Sequence, residues 1–310
     1  MKVLIIGGAG YFGSVTTNYL LQMNHEVTVI DDFRYCSESL LSLCSNTKFH
    51  VLKADARDIE FVNREIRNHD IIIPFSAMVG KPLCDKYNSE CQSINIDFIE
   101  KITCELPDNK WIIYPSTQSC YGCSDSLKLC SENHAVNPLS FYAKSKYLAE
   151  QFIMQRDRYY ICRFATLFGV SPRMRTDLLI NDLVAQAVYK GYALVNDISL
   201  YRNYLHVTDG ARAIGHIIDN LGDIRSGIYN IGNQSLNCTV GEICEGISSV
   251  IPSFKYVVDN SIISNDRRNY KVSMKKIYAT GWRPTKSLND GINELIKAYN
   301  MIHIFNYSNL

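Results

Sequence analysis

Gly7-Gly8-Ala9-Gly10-Tyr11-Phe12-Gly13 stands between an apolar run, Lys2–Ile6, and a helix-length segment, Gly13–Met23. In a strand–turn–helix unit, Gly7 permits the tight turn, Gly10 lets the backbone approach a pyrophosphate, and Gly13 lets helix and strand pack closely. The helix N-terminus then faces the anion. A glycine cluster alone is weak, because structural turns produce many of them. Here the next β-rich run, Glu26–Ile30, ends in Asp31-Asp32, eighteen residues after Gly13. A carboxylate at that place binds the ribose hydroxyls of adenosine and repels a 2′-phosphate. The reading is a dinucleotide-binding unit that takes NAD rather than NADP.

Outward from this unit, the first half alternates short β-rich runs with helix-length segments. Further strands are expected at Lys48–Leu52, Asp70–Pro74, Trp111–Tyr114 and Tyr159–Phe164, and helices at Ile59–Asn68, Ser93–Glu105 and Phe141–Arg156. Most of the strands are continuous apolar runs, the mark of strands buried on both faces of a parallel sheet. The fold class is α/β: a Rossmann-type doubly wound parallel sheet with a smaller C-terminal α/β substrate-binding domain. Residues 1–165 are expected to form the cofactor domain and 166–310 the substrate domain, with 206–232 returning to the first. In the later part, Tyr201–Val207 reads as a strand, and Gly169–Asp182 as a loop running into a helix. Thr239-x-x-Glu242 and Ser287-x-x-Asp290 read as capping boxes. Leu288, Ile292, Leu295, Ile296 and Tyr299 form one apolar stripe on the last helix, and Gly281 ends the helix at Lys275–Thr280.

Composition narrows the class. The chain of 310 residues has 32 Lys plus Arg against 31 Asp plus Glu, a net charge of +1, which argues against a general nucleic-acid binder. No apolar run approaches the ~20 residues of a membrane-spanning helix, and the four apolar residues before Gly7 are too few for a secretory signal. Eleven cysteines, an odd number, exclude a fully paired disulfide framework. The expectation is a cytoplasmic protein with reduced thiols. Cys120-x-x-Cys123, with Cys130 and His134 downstream, has some of the spacing of a zinc site. The motif ending at Gly122 explains that segment better, and no metal is expected.

The G-x-x-G-x-x-G spacing resembles the short-chain dehydrogenase/reductase superfamily, in particular its extended branch of nucleotide-sugar epimerases and dehydratases. The likeness runs over nearly the whole chain. It implies cofactor contacts from Tyr11 and Phe12, from Asp55 and Ala56 after the third strand, from Phe75-Ser76-Ala77 after the fourth, and from Asn95. Tyr114-Pro115-Ser116-Thr117-Gln118-Ser119-Cys120-Tyr121-Gly122 matches the family's serine/threonine loop, and Tyr142-x-x-x-Lys146 its catalytic pair. Alone, Y-x-x-x-K is uninformative: twenty Tyr and seventeen Lys lead to about one chance match. Its place, near a helix start and twenty-five residues after Thr117, decides the matter, and the i, i+4 spacing stacks both side chains on one face.

The chemistry needs that pair. Oxidising a sugar alcohol removes a hydroxyl proton while hydride leaves the same carbon. A free tyrosine has pKa ~10, so a base working near neutrality requires roughly 4 kcal/mol of preferential phenolate stabilisation. A nearby ammonium and a positive nicotinamide are sources of it. The resemblance therefore casts Tyr142 as general base, Lys146 as its electrostatic partner and ribose anchor, and Thr117 as the group aligning the substrate oxygen.

Further matches imply a nucleotide-sugar substrate. Met78, Val79, Gln118 and Ser119 would line the sugar. Arg202, in Tyr201–Asp209, would reach the substrate pyrophosphate, with Arg267 and Arg268 as a second clamp. Arg163 matches the sixth-strand arginine, and His206 reads as a packing residue. Arg173 and Arg175, flanking the start of the helix that carries Asn181, would form an anion site. Residues 171–182 and 76–84 look like a subgroup from bacterial surface-polysaccharide clusters, the GDP-heptose 4-dehydrogenase group of capsule synthesis, which holds NAD tightly.

Departures also decide. Gln118-Ser119 replaces the Asp-Glu of 4,6-dehydratases, so elimination is disfavoured. Ser119 replaces the cysteine of the 3,5-epimerase/4-reductase type, and Thr166 stands where 4-epimerases often have Asn. Net C4 oxidation is preferred, and a 4-epimerase is the alternative. A non-catalytic NAD-binding regulator is disfavoured because Thr117, Tyr142 and Lys146 all stand. A homodimer through the helices carrying Asn95 and Tyr142 is expected from the resemblance.

Overall fold

The structure is a computed structural model that describes residues 1–123, 128–259 and 268–302. Strands β1 (Lys2–Ile6), β2 (Glu26–Asp31), β3 (Phe49–Lys53), β4 (Ile71–Pro74) and β5 (Trp111–Thr117) follow in the first half. They are separated by α1 (Tyr11–Gln22), α2 (Ile59–Asn68), α3 (Lys81–Lys86), α4 (Asn88–Gln92) and α5 (Phe98–Glu105). After β6 (Leu129–Cys130) come α6 (Phe141–Ile153), β7 (Tyr159–Phe164), β8 (Thr166–Phe168), α7 (Leu179–Tyr189), β9 (Tyr192–Val195) and β10 (Tyr201–His206). Then follow α8 (Val207–Asp219) and β11 (Gly227–Ile231). The tail adds β12 (Asn237–Thr239), α9 (Val240–Val250), β13 (Lys255–Val258), β14 (Lys271–Val272), α10 (Lys275–Ala279) and α11 (Leu288–Tyr299).

Seven strands form one parallel sheet in the order β11-β7-β5-β4-β1-β2-β3. The order reverses between β1 and β4, and the crevice at the carboxyl ends of those strands is where an open α/β sheet binds its ligand. Alternate residues serve opposite faces. Val3, Ile5, Val27, Val29, Ile71 and Ile73 join one buried cluster, and Leu4, Ile6, Ile30, Ile72 and Ile112 the other. β3 departs from the expected two-sided burial: it is the sheet edge, with His50, Val51 and Lys53 exposed.

A third cluster, built on α7, α9, α11 and strands β9 and β10, forms the core of the later part. Its helices are capped as the sequence indicates. Thr239 and Ser287 both complete capping boxes, and Gly281 follows the C-cap of α10 at φ +93°. The expected single helix at 93–105 instead begins with a wider π-helical turn, Ser93–Asp97, which turns Asn95 inward under the loop after β4.

Arg163 on β7 and Glu150 on α6 make a wholly buried ion pair at 2.7 Å, and the Tyr121 hydroxyl accepts a further bond from Arg163. Ser116 donates to the same carboxylate, which ties β5, β7 and α6 together. Removing one partner leaves an uncompensated buried charge. Glu150→Ala should lower unfolding stability by about 3–5 kcal/mol, measured by urea titration, while replacing both residues by apolar ones should recover much of the loss.

Candidate active site

The crevice holds two clefts that meet. The first, about 790 Å³ to its open mouth, is lined by Gly7, Gly10, Asp31, Asp32, Asp55, Ala56, Phe75, Ser76, Ala77 and Met78. The second, about 1400 Å³, is lined by Gly7, Gly10, Tyr11, Phe12, Gly13, Val79, Thr117, Ser119, Tyr142, Lys146, Arg173, Arg175 and Arg268. Met78, expected at the sugar, stands in the first cleft instead.

Four expected residues line neither cleft. Asn95 lies behind the wall: it accepts from the Met78 N–H at 2.8 Å and donates to the Met78 carbonyl at 3.0 Å. Gln118 turns away and donates to the Ile231 carbonyl. Asn181 ties the loop before α7, accepting from the Gly169 N–H and donating to the Arg175 carbonyl. Arg202 packs its guanidinium over the ring of Tyr270, which does line the cleft. Arg267 lies outside the described residues. Sequence reasoning missed Tyr35, Arg34, Arg57, Glu90, Lys81 and Tyr270, all lining residues. Tyr35 and Arg34 follow Asp31-Asp32 within the same loop, the one local signal for them.

The residues fit a dinucleotide. The glycine loop forms a cradle: a Cβ at Gly13 would come within 2.3 Å of the Gly7 carbonyl oxygen, whereas at Gly10 the nearest atom would be 3.5 Å away. No side chain caps α1, and Gly10, Tyr11, Phe12 and Gly13 all face the cleft, so the first-turn amides are open to an anion. Asp31 accepts the N–H groups of Ala9 and Phe33, both at 2.8 Å, which ties the glycine loop to the end of β2. Burial raises its pKa, against the effect of those bonds. Asp55 is held below the usual carboxylate range by Arg57, which grips it with its side chain.

At the far end, β5 delivers Thr117 and the start of α6, N-capped by Ser140, delivers Tyr142 and Lys146. The Thr117 hydroxyl faces the Tyr142 phenol closely enough to help hold its pKa down. It also accepts from the Ser119 N–H at 3.1 Å, and Ser119 Oγ in turn accepts from Arg268. Burial pushes the Tyr142 pKa up to about 12, with the guanidinium groups of Arg175 and Arg268 opposing. Arg175 and Arg268 are thus the cations of this cleft that oppose the rise. Lys146 sits 4.0 Å from the centroid of the Tyr114 ring, and burial lowers its pKa to about 7, opposed by Glu150. Among the described residues this cleft is lined by five basic side chains and no carboxylate.

A lysine shifted down in the fold but not in the unfolded chain costs stability wherever both states are charged, below about pH 7. The cost fades as pH rises toward ~10, because there the unfolded state binds more protons. Lys146→Met should thus raise the melting temperature most at pH ~6 and progressively less toward pH ~10. A pH-independent difference would show that burial does not depress this lysine.

Comparison with known proteins agrees with this architecture. The description "NAD dependent epimerase/dehydratase family" matches residues 3–232. A candidate UDP-glucose 4-epimerase of Methanocaldococcus jannaschii is 24% identical, aligned over 95% of this chain and 97% of its own. A low-salt glycan biosynthesis protein of Haloferax volcanii is 25% identical over 96% of this chain and 98% of its own. In fold, the chain superposes on UDP-glucuronic acid 4-epimerase of Bacillus cereus, solved with UDP-glucuronic acid and NAD, with a TM-score of 0.85. That alignment has 20% identity and covers 98% of this chain and all of the other. The chain belongs to the NAD dependent epimerase/dehydratase family.

Proposed function

We propose that this protein oxidises C4 of a nucleotide-activated sugar, of GDP-heptose type, in surface polysaccharide synthesis. The observation that carries the oxidation is the convergence of Thr117, Tyr142 and Lys146 in one cleft that continues into the glycine-lined groove. The heptose assignment rests on residues 76–84 and 171–182, whose pattern resembles that subgroup. In this reading, residues 1–165 with 206–232 hold the cofactor, the remaining later residues hold the sugar nucleotide, and two copies associate through the helices carrying Asn95 and Tyr142.

Bound NAD supplies the hydride acceptor. Thr117 aligns the C4 hydroxyl, and Tyr142 takes its proton. Positive charge brought up to the phenol lowers its pKa from about 12 toward the working range, and Arg175 and Arg268 are the chain's contributions. Ser119 and Arg268 are joined to each other beside Thr117, and in this reading both hold the sugar nucleotide. Lys146 anchors the nicotinamide ribose. Gln118 is neither acid nor base and faces the Ile231 carbonyl, so the reading contains no elimination step. Full-length similarity to a candidate UDP-glucose 4-epimerase favours a second reading, in which the 4-ketone is turned over and reduced again.

Incubation with GDP-, UDP- and dTDP-sugars, followed by mass spectrometry and NMR, separates the two. A 4-ketone with stoichiometric NADH is expected; C4-inverted sugar without released ketone would replace the dehydrogenase with the epimerase. Tyr142→Phe should cut turnover by at least ~10² while NAD stays bound. Unchanged turnover would remove Tyr142 as the base.

A further inference from the structure

The two clefts share Gly7, Gly10, Tyr35, Phe75 and Ala77, which therefore mark a waist between them. Gly7 and Gly10 belong to the turn before α1, so the waist is where the pyrophosphate of a dinucleotide passes from the adenosine end to the reacting end. Tyr35 belongs to the loop that follows β2. Arg173 arrives from the other side of the crevice, in the loop between β8 and α7, and its guanidinium carbon lies 4.8 Å from the centroid of the Tyr35 ring. The arginine is 4% exposed and the tyrosine 48%.

The loop that carries Arg173 is sewn to the start of α1 rather than to the sugar end. Ser171 Oγ donates to the Tyr11 carbonyl at 2.6 Å and lies 3.1 Å from Ser14 Oγ. The Tyr11 hydroxyl donates to the Gly169 carbonyl at 2.8 Å. These bonds hold residues 169–173 over the first turn of the helix whose amides open to the groove. A guanidinium can stack its face on a ring while its edge donates two parallel bonds to phosphate oxygens. Desolvation and the neighbouring Arg175 lower the Arg173 pKa, against the effect of Asp177, and a phosphate anion beside it would favour the charged form further.

We propose that Arg173 and Tyr35 form a clasp across the pyrophosphate of bound NAD, so that the loop at 169–173 retains the cofactor instead of gripping the sugar nucleotide. The inference rests on the groove being the NAD site. It moves Arg173 out of the substrate clamp and leaves Arg175 and Arg268, which act on Tyr142, on the substrate side.

The test is NAD retention. Wild type, Arg173→Met and Tyr35→Ala are loaded with NAD, freed of excess by gel filtration, and sampled over time for protein-bound nucleotide by mass spectrometry. Dissociation should quicken about tenfold or more in each variant. The double variant should lose little beyond either single one, because the pair acts as a unit. The KM for the nucleotide sugar at saturating NAD should stay within about twofold of wild type. Tyr35 is half-exposed, so Tyr35→Ala decides the matter if circular dichroism shows Arg173→Met misfolded. An unchanged NAD lifetime in Tyr35→Ala overturns the clasp, and a raised sugar-nucleotide KM in folded Arg173→Met would give the arginine back to the substrate. A wild-type protein that takes up no NAD at all overturns the proposed function and the clasp together.

Discussion

Helix α1 approaches β1 so closely that Gly13 admits no side chain: a Cβ there would sit 2.3 Å from the Gly7 carbonyl oxygen and 2.8 Å from the Gly8 Cα. Gly7 itself is at φ +88°, with Ser76 against it from the loop after β4. That contact aims the unpaired amides of the first helical turn at the switch point of the sheet, where the strand order reverses. Much of the remaining architecture is attached to α1. Helix α8 packs along it, with Tyr19 and Met23 against Gly215 and Phe12 against Gly210, and the loop at 169–173 is bonded to Tyr11 and Ser14. A side chain at position 13 would move the groove, the cover over it and the later part of the chain together.

The two clefts divide their charge differently. The adenosine end mixes Asp31, Asp32, Asp55 and Glu90 with Arg34 and Arg57, and several of these are paired, so that end offers acceptors for hydroxyls more than attraction for phosphate. Among the described residues the charged side chains lining the reacting end are all basic, with Arg175 paired to Asp177 and Lys81 to Asp85. Such a field suits ligands carrying diphosphates. Burial on top of it pushes Lys146 down and Tyr142 up, because each loses more by being charged than by being neutral. The surroundings thus push both groups toward their neutral forms, and charge arriving with ligands shifts both.

The parts of the site that depend on neighbours in sequence are legible in the amino-acid order. Glycine spacing, the carboxylates at the end of β2 and the Tyr142–Lys146 pair each need only local backbone geometry, and all lie in the crevice. Residues whose role depends on side-chain direction are not legible in the same way. Gln118 follows Thr117 directly, yet the short 3-10 turn at Gln118–Tyr121 rotates it into the sheet. Asn181 lies near the start of α7 and spends its amide on the loop below it. Met78 is drawn to the adenosine side because Asn95, brought inward by a π-helical turn, holds its backbone N–H and carbonyl together. Periodicity in a helix cannot reveal that turn, since the extra residue shifts every face after it.

From the amino-acid order alone followed the parallel αβ alternation, the dinucleotide cradle, the preference for a ribose over a 2′-phosphate and the placing of Tyr142 and Lys146 on one helix face. These rest on φ/ψ freedom, period and i, i+4 spacing, which are properties of short segments. Only the folded chain could decide where each arginine points. Arg173 and Arg175 are two residues apart, yet one stacks on Tyr35 from the opposite side of the crevice and the other pairs with Asp177 within reach of Tyr142. Contacts between segments more than a hundred residues apart are set by how the lobes pack on the sheet, and no local pattern encodes the direction a long side chain takes there.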